Sequence, residues 1–183
     1  MEKILFKEEQ KFRQPWIWLL IIPISSSGAI FMGFGMVKQL IQSEPFGDNP
    51  VPDVALLIIG IFSILLMIGI TMLFYTMKMV VEIRSSGIYF RYPPMINKFK
   101  KIGKEEIKHF EVREYKPIRE YGGYGIKTGP TKFGRAYNVQ GKIGLQLYLI
   151  DSRKVLFGTQ RKDAIASAMT KLLTKDPFHK KNL

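Results

Sequence analysis

The chain has no cysteine among its 183 residues. Disulfides and thiolate chemistry are therefore excluded, and composition leaves the redox compartment open. Histidine is nearly as scarce: His109 and His179 are the only two. Without cysteine or a spaced His/Asp pair, neither a metal site nor a bound cofactor is expected. Charge is missing from two long stretches. Gln14–Val37 and Val54–Met77 contain no Asp, Glu, Lys or Arg. Acid is sparse in the later part of the chain. Residues 1–77 carry five Lys/Arg and six Asp/Glu, whereas residues 78–183 carry twenty-three and nine. The net charge of +13 thus lies wholly after residue 77.

The second uncharged stretch is long enough to cross a bilayer. At about 1.5 Å rise per residue a helix over Val54–Met77 covers roughly 36 Å, against a hydrocarbon core of ~30 Å. It has no polar face, which argues against an amphipathic surface helix. The first stretch, 14–37, begins with Trp16 and Trp18, residues that anchor at headgroup depth. Pro23 removes one backbone hydrogen bond there and is expected to bend the helix. Ser25, Ala29 and Gly33 recur every four residues, a ridge of small side chains against which a second helix can pack. Gly60 and Ser63 are the matching candidates on the second helix, and the same ridge is a candidate surface for homo-oligomers. A cleavable signal peptide is the competing reading of Trp16–Ala29. The apolar character resumes through Val37, and the leader contains Glu8 and Glu9, so a retained span is expected. The connection 38–53 holds one lysine and three acids. Its poverty in Lys/Arg places it outside and both termini in the cytoplasm.

After Met77 the apolar period shortens to two. Met79–Arg84 and Ile88–Tyr92 flank the turn Ser85-Ser86-Gly87 and predict a hairpin. Further strands are expected at Lys98–Ile102, Ile107–Tyr115, Tyr124–Lys127, Arg135–Val139, Ile143–Ile150 and Lys154–Phe157. Leu145, Leu147 and Leu149 alternate strictly with Gln146 and Tyr148. Residues 116–134, rich in Gly, Pro and Tyr, read as a long irregular loop. A last helix is expected over Arg161–Thr174, capped by Thr159, with Ile165, Met169 and Leu172 as its apolar stripe. Residues 1–77 thus read as a polar leader and helical hairpin, 78–175 as a β domain, and 176–183 as a polar tail.

No catalytic constellation emerges. Glu105 and Glu106 are adjacent, and neighbouring strand residues point to opposite faces. Gly122-Gly123-Tyr124-Gly125 is not followed by Lys-Ser/Thr opening a helix, so it fits no phosphate-loop pattern. Lys132–Tyr137 faintly matches an RNA-binding strand, but that fold needs helices between its strands and none is expected between Met79 and Thr159. A nucleic-acid partner is therefore not expected. The basic residues near the membrane exit are the clearest candidates for contact. Lys98, Lys100, Lys101 and Lys104 fall within seven residues, and Lys78 and Arg84 follow the second span. Near an anionic leaflet each is worth ~1 kcal/mol.

Antiparallel strands followed by one amphipathic helix is the layout of a PH-like fold, in which the helix closes one end of a bent sheet. The runs Gly122–Lys127, Ala136–Val139, Gly144-Leu145 and Val155–Arg161 resemble bacterial membrane proteins with two transmembrane helices and a PH-like domain. Those often carry tryptophan where Tyr124 stands and arginine where Lys127 stands. The resemblance implies an α+β chain: a transmembrane hairpin, then a PH-like bent antiparallel sheet domain capped by one C-terminal helix. It implies no reaction and supplies no catalytic residue. The expected function is that of a non-enzymatic, multi-pass protein of the bacterial inner membrane. Its cytoplasmic domain would bind a protein partner or, alternatively, anionic phospholipid. A weaker alternative is an enzyme using loop 116–134.

Overall fold

Every second residue from Phe6 to Phe12 is buried: Phe6, Glu8, Gln10 and Phe12. That period of two makes a strand of a stretch that reads as a charged leader, because half of its inward side chains are polar. It is β1, Ile4–Lys11. The computed structural model describes residues 2–130 and 132–174. The polar tail expected at 176–183, with His179, lies outside them. The chain forms two compact units. One joins residues 2–12 to 77–130 and 132–174, and the other is 13–76.

The second unit is a helix pair. α1 spans Pro15–Met36 and continues as a single π-helical turn, Val37–Ile41. α2 spans Asp53–Thr76. Pro15 suits the first helical turn, where its missing N–H has no partner to lose. Around Pro23 the hydroxyls of Ser26 and Ser27 donate back to the Ile22 and Ile24 carbonyls, so they are satisfied within their own helix. Gln39 closes the connection by donating to the Val51 carbonyl at 2.7 Å and to Asp53 at 2.8 Å. Phe46 packs edge-on against Phe31 and Phe34.

The first unit contains two sheets. β1 pairs with β2 (Lys78–Arg84), β2 with β3 (Gly87–Tyr92), and β3 with β4 (Ile96–Gly103), all antiparallel. Gly87 has φ +144°, and the Ile102 carbonyl leaves no room for a Cβ, so the β2–β3 turn requires glycine. The second sheet holds β5 (Ile107–Glu114), β6 (Gly125–Thr128), β7 (Arg135–Asn138), β8 (Ile143–Leu149) and β9 (Lys154–Gly158), in the order β5-β8-β9-β7-β6. The expectation of a purely antiparallel sheet is corrected here. β9 folds back from β8 and inserts beside β7, and the β7–β9 pair is parallel. A short helix, α3 (Pro117–Tyr121), interrupts the stretch expected to be irregular.

Aromatic rings join the sheets. Phe90 of β3 lies 4.7 Å from Tyr137 and 4.9 Å from Phe157 between ring centres. α4, Lys162–Thr174, buries Ile165, Ala168, Met169, Leu172 and Leu173 against β1, β2, β5 and β8. Each large side chain so buried contributes about 1.5–3 kcal/mol. At its start Thr159 accepts from the Arg161 amide at 3.0 Å. The Thr159 hydroxyl donates to the buried Glu8 carboxylate at 2.6 Å, and the Gln160 amide donates to the same group at 2.8 Å. The N-terminal strand thus holds the start of the C-terminal helix.

Candidate functional site

The six basic residues expected as candidates for lipid contact, four of them clustered in sequence, do not share one face of the sheet. Lys78 opens β2 and pairs with Glu9 at 3.2 Å. Arg84 closes the same strand, about 20 Å further along at ~3.3 Å per residue. Its guanidinium donates to Glu82 at 2.6 Å and lies 4.4 Å over the Tyr89 ring. In β4, alternation sends Lys98 and Lys100 to the face of the buried Ile102. Lys101 goes to the other face, 5.7 Å from the Tyr89 ring. Lys104 begins the single 3-10 turn Lys104–Glu106. The lysines of β4 thus belong to two surfaces.

The outer face of the four-stranded sheet combines cations with rings. Arg84 and Arg91 both lie over Phe99, at 5.5 and 4.8 Å. Beneath them Glu82 is 3% exposed and accepts from both Arg84 and Lys7. Burial raises its pKa, but the bonds from Arg84 and Lys7 outweigh this, and the carboxyl is held below the usual range.

The other surface is a cleft of about 600 Å³ between the sheets, within the size range of ligand pockets. Four basic side chains line it, Lys100, Arg135, Arg153 and Lys154, against the acids Glu106 and Asp151. Arg153 is tied to Asp151 at 2.5 Å, and the Lys154 ammonium donates to the Lys132 carbonyl at 2.9 Å. Lys100 and Arg135 are exposed and have no ion-pair partner among the described residues. Phe90 and Tyr137 form part of its apolar wall. Gly134, at φ +76°, has the Lys154 backbone so close that no side chain fits, which keeps the start of β7 against β9. Of these the sequence reading found Lys100. It missed Arg135, Arg153 and Lys154, which come from other strands and make no local run.

The buried polar groups beside loop 116–134 are held by one another. Tyr115 and Tyr121 are buried with Ala136 and Leu156. The Asn138 amide donates to the Tyr115 hydroxyl at 3.0 Å and its oxygen accepts from the Gly125 amide at 2.8 Å. The Tyr92 hydroxyl donates to the Asn138 carbonyl at 3.0 Å. Burial pushes the Tyr115 phenol up to about 12, against the lowering effect of the Asn138 bond. Arg113 bonds Glu120 at 2.7 Å and Gln146 at 3.1 Å. His109 stacks on Tyr148, ring centres 4.1 Å apart. Among the described residues no three His, Cys, Asp or Glu side chains gather as metal ligands would.

Of the residues expected to pack the helices together, Ser25 accepts a hydrogen bond from Thr71 at 3.2 Å. Ala29 lines the same groove, with Met67 and Thr71 across from it. Gly60 receives the Met36 side chain so closely that a Cβ would displace it. Ser63 is half-buried. Gly33 is a correction: outside its own helix backbone no atom lies within 4 Å of where its side chain would be, whereas Gly28 leaves room for ordinary contact with Met67. A repeat of four drifts around a helix of 3.6 residues per turn, so the ridge leaves the contact face by Gly33.

A family model described as a family of unknown function, DUF6141, matches residues 2–172. No curated protein and no solved structure matches the chain.

Proposed function

We propose that this chain, which belongs to the DUF6141 family, is a non-enzymatic, multi-pass protein of the bacterial cytoplasmic membrane. The helix pair spans the bilayer, both termini are cytoplasmic, and a basic PH-like domain is presented there to a protein partner. One observation carries the reading. Large apolar side chains stand exposed around both helices, among them Leu19, Ile24, Phe31, Ile58, Phe62 and Leu65, while the sheets bury theirs. Such a shell is costly in water and costs nothing in hydrocarbon. The connection 38–53 has one lysine, at its helical start, which supports the orientation.

The absence of native cysteine makes the test clean. Asp48→Cys and Lys101→Cys are introduced separately and treated with a membrane-impermeant maleimide. In intact cells Asp48→Cys is labelled, and Lys101→Cys is labelled only after permeabilisation. The reverse pattern, or recovery of the chain in the soluble fraction without detergent, defeats the reading.

Recognition of anionic lipid by the same domain is the second reading, favoured by the Arg84–Tyr89–Phe99–Arg91 face with Lys101 at its edge. Its test uses the whole chain in nanodiscs, because β1 is needed to complete the sheet. Anionic lipid should slow labelling of Lys101→Cys by a soluble maleimide at low salt, and salt should abolish the effect. Equal labelling in neutral and anionic discs removes this reading.

A further inference from the structure

β4 is an edge strand: among the described residues it pairs with β3 and with no other strand. Residues Asn97–Lys101 are exposed along it. Half of its backbone N–H and C=O groups therefore face outward as a template for another strand. Beside that edge opens the basic cleft. Lys100 reaches it from β4, Arg135 from β7, and Arg153 and Lys154 from the β8–β9 hairpin and β9. The four-stranded sheet has one strand fewer than the sheet it packs against.

From this juxtaposition we propose that the free edge of β4 and the adjoining cleft bind an extended acidic segment of another protein, which adds to the sheet as a fifth strand. Main-chain hydrogen bonds to β4 supply the pairing, and alternate side chains of the added strand enter the cleft. Acidic residues at those alternate positions meet Lys100, Arg135 and Lys154. The charge works in two directions. Lys98, Lys100 and Lys101 repel a second copy of β4, which keeps the edge from pairing with itself, while attracting a strand of opposite sign. A phosphate-sized anion uses the cations alone and leaves the backbone row unpaired. The exposed strand edge therefore favours a peptide. The inference rests on the reading that the domain serves a protein partner, and it names the chemistry of that partner.

The test uses the full chain in neutral-lipid nanodiscs. The probe is a fluorescent heptapeptide alternating glutamate and valine. Two controls accompany it: the same peptide N-methylated at alternate residues, which removes its strand donors, and inorganic tripolyphosphate. The acidic peptide should bind with salt-sensitive affinity and slow hydrogen exchange of β4 amides. N-methylation should weaken it by about tenfold or more, as should Lys100→Glu with Arg135→Glu. Both substituted residues are exposed, and near-UV dichroism checks that the fold is kept. Equal binding of the N-methylated peptide overturns the inference, since charge alone would then suffice. So does binding without β4 protection, displacement by tripolyphosphate at equal concentration, or no binding at low salt. Cysteine labelling separates the two levels: if peptide binding fails while Asp48→Cys and Lys101→Cys label as expected, the membrane reading stands and this inference falls.

Discussion

The helix pair and the sheets solve the same problem in opposite ways. Both are rich in Leu, Ile, Val and Phe. In the helices most of these side chains are exposed and only a few positions, such as Ile17, Leu56 and Gly60, are buried. In the sheets Ile83, Ile88, Leu145, Leu147, Leu156 and Phe157 are all but sealed. A helix satisfies its backbone within itself and needs its neighbour only for a few close approaches. A strand depends on others far along the chain, so the sheets hang on particular long-range polar contacts. Glu8 with Thr159 and Asn138 with Tyr115 are two of them. Damage should therefore be local and mild in the helices, and cooperative in the sheets.

The sharpest way to break that contrast is to remove residues 2–11. β2 loses its partner strand, and Thr159 and Gln160 lose the Glu8 carboxylate. The sheets are expected to lose most of a stability that is on the order of 5–15 kcal/mol. Urea titration in detergent, followed by near-UV dichroism of the tyrosines, would show no cooperative transition. An unchanged midpoint would mean that β1 is dispensable.

A single buried polar group comes next. Asn138→Leu leaves the Tyr115 hydroxyl and the Gly125 amide without their partner inside the core. The expected loss is about 2–4 kcal/mol, read from the same titration. A loss below about 0.5 kcal/mol would make the network ornamental rather than structural.

Acid should act on the sheets through Glu82. Its carboxyl is held below the usual range by Arg84 and Lys7 against the upward push of burial. A depressed folded-state pKa adds stability that is complete above the unfolded value, about 4.3, and is lost as pH falls through the folded one. Glu82→Gln should lower stability at neutral pH and flatten its decline below about pH 4.3. A decline as steep as in the parent chain would exclude Glu82 as its source.

The smallest effect belongs to the helices. Ser25→Cys with Thr71→Cys, whose oxygens lie 3.2 Å apart, should oxidise readily to a disulfide. Gly60→Leu displaces Met36 and should slow that cross-link, whereas Gly33→Leu, facing open space, should not. Equal rates in the two variants would mean that the close approach at Gly60 does not hold the pair.

How much of this was legible beforehand follows the same division. Eight strands and α4 are expected from turn signals and periods, most plainly the period of two in β8 and of 3.6 in α4, and their ends fall within a few residues of the expected ones. β1 does not, because Glu8 and Gln10 occupy inward positions that an apolar pattern would need to fill. α3 hides in a stretch of Gly, Pro and Tyr. Little of the cleft was visible: Lys100 stands in a local run, while Arg135, Arg153 and Lys154 are scattered along the sequence.

By itself the sequence determined what is local: two uncharged helices, the basic bias after residue 77, and the alternation of the strands. Tertiary structure alone decided that the N-terminal residues belong with the sheets, that β7 runs parallel to β9, and that the lysines of β4 separate onto two faces. The reason is physical. A period is set by neighbours along the chain, but burying a carboxylate such as Glu8 is tolerable only when donors 151 and 152 residues away arrive to meet it.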